Sequence, residues 1–207
     1  MIEEKDLREE KEEADGEKSG EREYMYDAFI SYRHAPLDMY VAETLHKKLE
    51  NFKIPKIADK EVKERGKRGI KRIFRDRDEL PLAGNLSDPI TEALASSEYL
   101  IVICSPRILE SIWCQKEIET FIEMRGIENV FAVLIEGEPE DSFPKQLCAI
   151  KKEITQEDGT VKVEEIPLEP LAADVRGKNK AEINKKMKAE ILRLVAPMIG
   201  CSYDDLK

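Results

Sequence analysis

The chain is 207 residues long, 41% hydrophobic and 38% charged, with a formal net charge of −10 at neutral pH. That is enough apolar material for one sizeable core, yet no uncharged apolar run approaches the ~18 residues of a bilayer-spanning helix. With 34 basic against 44 acidic side chains the balance is not that of a nucleic-acid binder, and residues 1–23 carry acids where the apolar stretch of a secretory signal would have to lie.

Residues 1–23 hold 11 acidic and 5 basic side chains without apolar periodicity, which predicts a disordered acidic tail. Order is expected from Tyr24 onward. Residues 25–31 read as a buried strand. Pro36 and Pro55 bracket a helix with Asp38 as its candidate cap and Val41, Ala42, Leu45, Leu49 and Phe52 as its apolar stripe. Residues 53–69 are polar and basic and are expected to be a loop, with the run of Lys and Arg over 60–77 solvated. A short strand follows at 70–74, and Pro, Gly and acids make 75–85 a loop. Asn85 or Ser87 then caps a helix presenting Leu86, Ile90, Ala93 and Leu94.

Residues 99–104 form a continuous apolar strand of the kind buried on both faces, closed by Ser105-Pro106. A helix with Trp113, Ile118, Phe121 and Ile122 runs to about Met124, and 130–135 is the next buried strand. Residues 147–175 read as an irregular insertion. Within it, Asp158-Gly159 between 153–157 and 161–165 is a hairpin signal. The last helix, 180–199, carries Ile183, Met187, Ile191, Leu194, Val195 and Met198 on one face.

Strands and helices alternating over short links predict an α/β unit spanning 24–200. The expected architecture is a flavodoxin-like, doubly wound, parallel five-stranded sheet with helices on both faces. Cys104, Cys114, Cys148 and Cys201 form no CxxC pair. Free thiols, no metal site and a cytoplasmic location are therefore expected.

In such a sheet, ligands lie beyond the carboxyl ends of the strands, where strand order reverses. The residues expected there are Ser31, Tyr32 and Arg33 after the first strand, Asp76 and Glu79 after the second, and Ser105 after the third, followed by the helix with Trp113 and Glu117. Aromatics, arginines and carboxylates together suit a ligand with a flat base, hydroxyls and phosphates. No glycine-rich phosphate cradle is present, so arginines or helix N-termini would have to hold phosphate. Trp113 and Glu117 share one helix face. On spacing alone they read as a core tryptophan and a solvated acid. Phosphoacceptor receiver domains share this strand order but need clustered acids after the first strand and an aspartate after the third. Those positions here are Ser31-Tyr32 and Cys104-Ser105.

Four segments in register resemble the Toll/interleukin-1 receptor (TIR) domain family, chiefly its NAD-consuming bacterial branch. Tyr26-Asp27-Ala28-Phe29-Ile30-Ser31-Tyr32 resembles the first signature box. Phe74-Arg75-Asp76, Leu80-Pro81 and Ala83-Gly84 resemble the second box and its long BB loop. Ile101-Val102-Ile103-Cys104-Ser105-Pro106 resembles the strand and turn before the next helix, and Trp113-Cys114-Gln115-Lys116-Glu117 matches the WCxxE pattern. The likeness is good from 24 to 135 and weaker over 147–207.

The resemblance implies cleavage of the nicotinamide–ribose bond of NAD+, a substrate rather than a cofactor, to nicotinamide plus ADP-ribose or a cyclic isomer. By that resemblance Glu117 is catalytic. Trp113 lines the nicotinamide–ribose pocket, Ser31, Tyr32, Arg33 and Ser105 surround the substrate, and Asp76, Glu79 and Gly84 shape the pocket from a neighbouring subunit. It also implies self-association through Leu80, Pro81 and Gly84, a fused or associated sensor or effector region, and a place in antiphage immune signalling. Many members only assemble, so a scaffold without turnover is the competing expectation.

Overall fold

The structure is a computed structural model and describes residues 24–64, 69–75, 87–155 and 161–207. In chain order its elements are β1 (Tyr26–Ser31), α1 (Pro36–Glu50), α2 (Lys56–Glu64), β2 (Ile73–Arg75), α3 (Ser87–Ala95), β3 (Ser97–Cys104), α4 (Ile112–Arg125), β4 (Val130–Leu134), α5 (Pro139–Ser142), β5 (Ala149–Thr155), β6 (Val161–Pro167), β7 (Ala172–Asp174) and α6 (Lys180–Ile199). Five strands form one sheet in the order β2-β1-β3-β4-β7, and every pairing is parallel. The architecture is the expected α/β fold with helices on both faces.

Strand periodicity decides what each face carries, because successive side chains point to opposite sides. Ala28, Ile30, Ile101, Ile103, Val133 and Ile135 pack on one face with Val41, Leu45 and Leu49 of α1 and Ile183, Met187, Ile191 and Leu194 of α6. Phe29, Leu100, Val102, Cys104, Ala132 and Leu134 pack on the other with Ala93 and Leu94 of α3 and Cys114, Ile118 and Phe121 of α4. Phe29 and Phe74 stack at 5.0 Å across β1 and β2. Of the helix stripes read from the sequence, Val41, Ala42, Leu45 and Leu49 of α1, Ile118 and Phe121 of α4, and Ile183, Met187, Ile191, Leu194, Val195 and Met198 of α6 are turned to the sheet.

Four local readings are corrected. Residues 56–64, expected to be a loop, form α2. Its charged composition hides one short apolar edge, Ala58 and Val62, four residues apart and both buried. Asp38 does not cap α1. The cap position is Ala35, with Pro36 opening the helix, and Asp38 lies in the first turn, fully buried. The second strand is Ile73–Arg75 rather than 70–74. Asp27 holds the chain just before it by accepting the backbone N–H of Lys71 at 2.7 Å and of Arg72 at 2.8 Å. The described residues of 147–175 are not irregular: β5 and β6 form an antiparallel two-stranded sheet, paired from Ala149–Pro167 to Thr155–Val161, and β7 completes the main sheet. The tail 1–23, Asn85 and Leu86, and the Asp158-Gly159 turn lie outside the described residues.

Candidate active site

The chain leaves β1 for β2 on one side and crosses back to β3 on the other, so the reversal of strand order falls between β1 and β3. Ser31 ends β1 and Cys104 ends β3. Ser31 alternates with Ile30 and so faces the α3–α4 side, with Phe29. Its hydroxyl, fully buried, donates to Glu117 Oε2 at 2.6 Å. This contact joins two residues that are 86 positions apart.

Glu117 is set by the way α4 starts and packs. Pro106 opens a 3₁₀ turn over Pro106–Glu110 that carries the chain from β3 to Ser111. Ser111 caps α4, its hydroxyl accepting the Cys114 N–H at 3.3 Å. Gly126, with φ at +86°, ends the helix. Cys114, Ile118 and Phe121 anchor one face of α4 to the sheet. Glu117 follows Cys114 by three residues and precedes Phe121 by four, so it borders that buried stripe and is half-buried. Trp113, one turn earlier, is 64% exposed. The core placement that spacing suggested for this tryptophan is therefore wrong. Ile112 and Leu109 beside it are exposed as well, at 80% and 40%.

Of the other expected site residues, Tyr32 is buried with its ring 5.1 Å from that of His34, and Arg33 is exposed. Ser105 has the opposite parity to Cys104 and turns to the α1 face. Fully buried, it donates to Asp38 Oδ1 at 2.8 Å. Asp76, Glu79 and Gly84, with Leu80 and Pro81, lie outside the described residues. The structure thus joins Ser31 directly to Glu117 and directs Ser105 to a different partner.

That partner belongs to a charged network absent from the sequence reading. Arg107 Nε and Nη2 donate to Asp38 Oδ2 at 3.1 and 2.9 Å, and Nη2 also pairs with Glu136 Oε2 at 2.5 Å. Burial works against the Arg107 charge. The hydrogen bonds to Glu136 and Asp38 outweigh it and raise the pKa above the ordinary arginine value. The next loop is tied from its other side. Arg176 grips Asp174 through Nε and Nη2 at 3.1 and 2.9 Å, and its Nη1 donates to the Gly137 carbonyl at 2.9 Å and to Glu138 Oε2 at 3.1 Å. An acid in the first turn after Pro36 and an arginine directly after Ser-Pro were the signals available for this network.

Cys104 cannot serve as a nucleophile here, since complete burial pushes its thiol well above the usual range. Among the described residues no cluster of His, Cys, Asp and Glu could hold a metal ion, and no helix is long and apolar enough to cross a membrane.

Comparison with known proteins agrees with the motif reading. The family model of the TIR domain matches residues 28–162. Over 113 residues the chain is 30% identical to a protein of Actinoplanes sp. named NAD(+) hydrolase ApTIR. The match covers 55% of this chain and 14% of that protein. Among solved structures, the TIR domains of the activated Roq1 resistosome, recognising the pathogen effector XopQ, match with a TM-score of 0.40 and 22% identity, over 56% of this chain and 60% of that one. A metazoan TIR-STING receptor from C. gigas matches with a TM-score of 0.41 and 27% identity, over 60% of this chain and 35% of that one.

Proposed function

The chain belongs to the TIR domain family, and from that premise we propose that it is an NAD+ nucleosidase with Glu117 as the reacting carboxylate. The observation that supports this most is the 2.6 Å hydrogen bond from Ser31 to Glu117, which sets a half-buried carboxylate at the strand switch point. The match to a relative named as an NAD(+) hydrolase agrees with it.

One carboxylate suffices for this reaction. The nicotinamide ring of NAD+ is already cationic, so no acid has to protonate the leaving group. When the C–N bond breaks, its electron pair goes to the ring nitrogen and the ribose takes on oxocarbenium character. Glu117 stabilises that charge and holds a ribose hydroxyl. Attack by water gives ADP-ribose and releases a proton. Attack by an adenine nitrogen or a ribose hydroxyl gives a cyclic ADP-ribose isomer. Trp113 borders the nicotinamide–ribose end, Tyr32 and Ser105 stand behind the pocket, and Arg33 meets the phosphates. NAD+ is the substrate, with no resident cofactor.

In this reading the site is completed by self-association through the loop with Leu80, Pro81 and Gly84, and Asp76 and Glu79 of a neighbouring subunit close the pocket. The exposed patch of Leu109, Ile112 and Trp113 next to Glu117 supports a partner covering that side. The setting would be antiphage immune signalling in the cytoplasm, with a sensor or effector region fused or associated. The same patch also favours the second reading, an interaction module without turnover.

The test is NAD+ incubation with product analysis over about a hundredfold range of protein concentration, since assembly responds to mass action. The expected record is turnover per subunit that rises with concentration and is abolished in a folded Glu117→Gln variant. No turnover at any concentration, including on a surface that clusters the protein, would leave the scaffold reading. Undiminished turnover in Glu117→Gln would remove Glu117 from its role.

A further inference from the structure

The link from β3 to α4, residues 105–111, decides where α4 begins and therefore where Glu117 stands. Asp38 grips this link from outside it, and among the described residues the side chains that donate to its carboxylate, Ser105 and Arg107, belong to the link. Ser105 donates to Oδ1 at 2.8 Å, and Arg107 donates twice to Oδ2, at 3.1 and 2.9 Å. Inside the link, Gln115 Nε2 of α4 donates to the Ile108 carbonyl at 3.1 Å, and Ser111 caps the helix. Contacts therefore run without a break from the first turn of α1, through Arg107 and Ile108, to the first turns of α4 and on to the Ser31–Glu117 bond.

Asp38 is fully buried and Arg107 is 34% exposed. A buried ion pair contributes little net stability compared with apolar packing, because desolvation offsets the attraction. What it supplies here is geometry. A planar fork binding one oxygen while a hydroxyl binds the other leaves a single position for the link.

We infer that Asp38 and Arg107 are positioning residues for Glu117, holding the 105–111 link so that α4 sets the carboxylate against Ser31. The inference rests on Glu117 being the reacting group, and its test has one arm that does not. Trp113 is the only tryptophan in the chain and lies, largely exposed, in the first turn of α4. Its emission and its quenching by acrylamide report where that turn sits, with or without turnover.

The experiment compares Arg107→Lys, Arg107→Met and Asp38→Asn with wild type in the full chain, by kcat, KM, Tm and Trp113 quenching. Lysine keeps the charge but not the two-donor fork. It is expected to lower kcat about tenfold with KM within about twofold, because small misplacements near a reacting centre cost rate before affinity. Methionine and Asp38→Asn are expected to lose more. In all three the folded protein should show altered Trp113 quenching. Wild-type kcat in folded Arg107→Lys and Asp38→Asn overturns the inference, as does a loss of rate accounted for by unfolding while Trp113 quenching stays at the wild-type value. If wild type itself turns over no NAD+, the catalytic reading fails separately and quenching alone decides. A changed value upholds control of α4 by the pair, and an unchanged value refutes it.

Discussion

Replacing Ser31 by alanine removes the hydroxyl that donates to Glu117 at 2.6 Å and changes little else, since the side chain is small and fully buried. A hydrogen bond to a charged group is worth about 1.5–3 kcal/mol. If the bond holds the carboxylate in its reactive rotamer, that energy appears in the barrier. At a factor of ten for each ~1.4 kcal/mol, kcat should fall roughly 10- to 150-fold. The fold loses less. Glu117 is only half-buried, so water can replace the lost donor. A stability loss of about 1 kcal/mol would lower Tm by only ~2–4 °C in a domain of this size. The assay is the initial rate of nicotinamide release over a range of NAD+, at protein concentrations where activity per subunit has levelled, alongside a thermal melt. A kcat within about twofold of wild type would refute the reasoning. It would mean that the Ser31–Glu117 bond is not part of the reactive arrangement.

Gly137→Ala should destabilise the loop after β4. Its φ of +77° disfavours any side chain, and a Cβ there would collide with Ser142 Oγ and lie 2.8 Å from Pro106 Cγ. The left-handed conformation alone costs roughly 1–2 kcal/mol, and a melt that showed no loss would mean the loop has another conformation open to it. Asp174 gives a pH prediction. Hydrogen bonds from Arg176 hold its carboxyl below the ordinary aspartate value, against an opposing effect of burial. Its folded pKa therefore lies below the unfolded one. The stability it contributes is complete above the unfolded value of 3.8 and is lost as pH falls through the folded value. The Tm gap between wild type and Asp174→Asn should be widest near neutral pH and close below pH 3.8. A gap that stayed constant on acidification would remove the Arg176 pairing from the account.

The sequence by itself determined the elements with a strong one-dimensional signature. The continuous apolar stretch in β3 and the 3.6-residue stripes of α1 and α6 each state their environment locally, because burial on two faces or on one requires that pattern. Spacing also placed Glu117 one turn from Trp113 and named Ser31 at the end of β1. It missed α2, whose only described buried residues are Ala58 and Val62 amid charge, and it could not isolate β7, a three-residue strand recognised by pairing with β4 rather than by its own pattern. The tertiary structure alone decided which helix covers which face, and so which partner each serine at a strand end meets. Ser31 and Ser105 have opposite parity relative to the apolar sheet faces. One donates to Glu117 on α4 and the other to Asp38 on α1, across separations of 86 and 67 residues. Parity is a local property of a strand and can be read along the chain. The identity of the group opposite depends on right-handed crossovers that bring distant helices over the sheet, and no window of sequence contains both ends of such a contact.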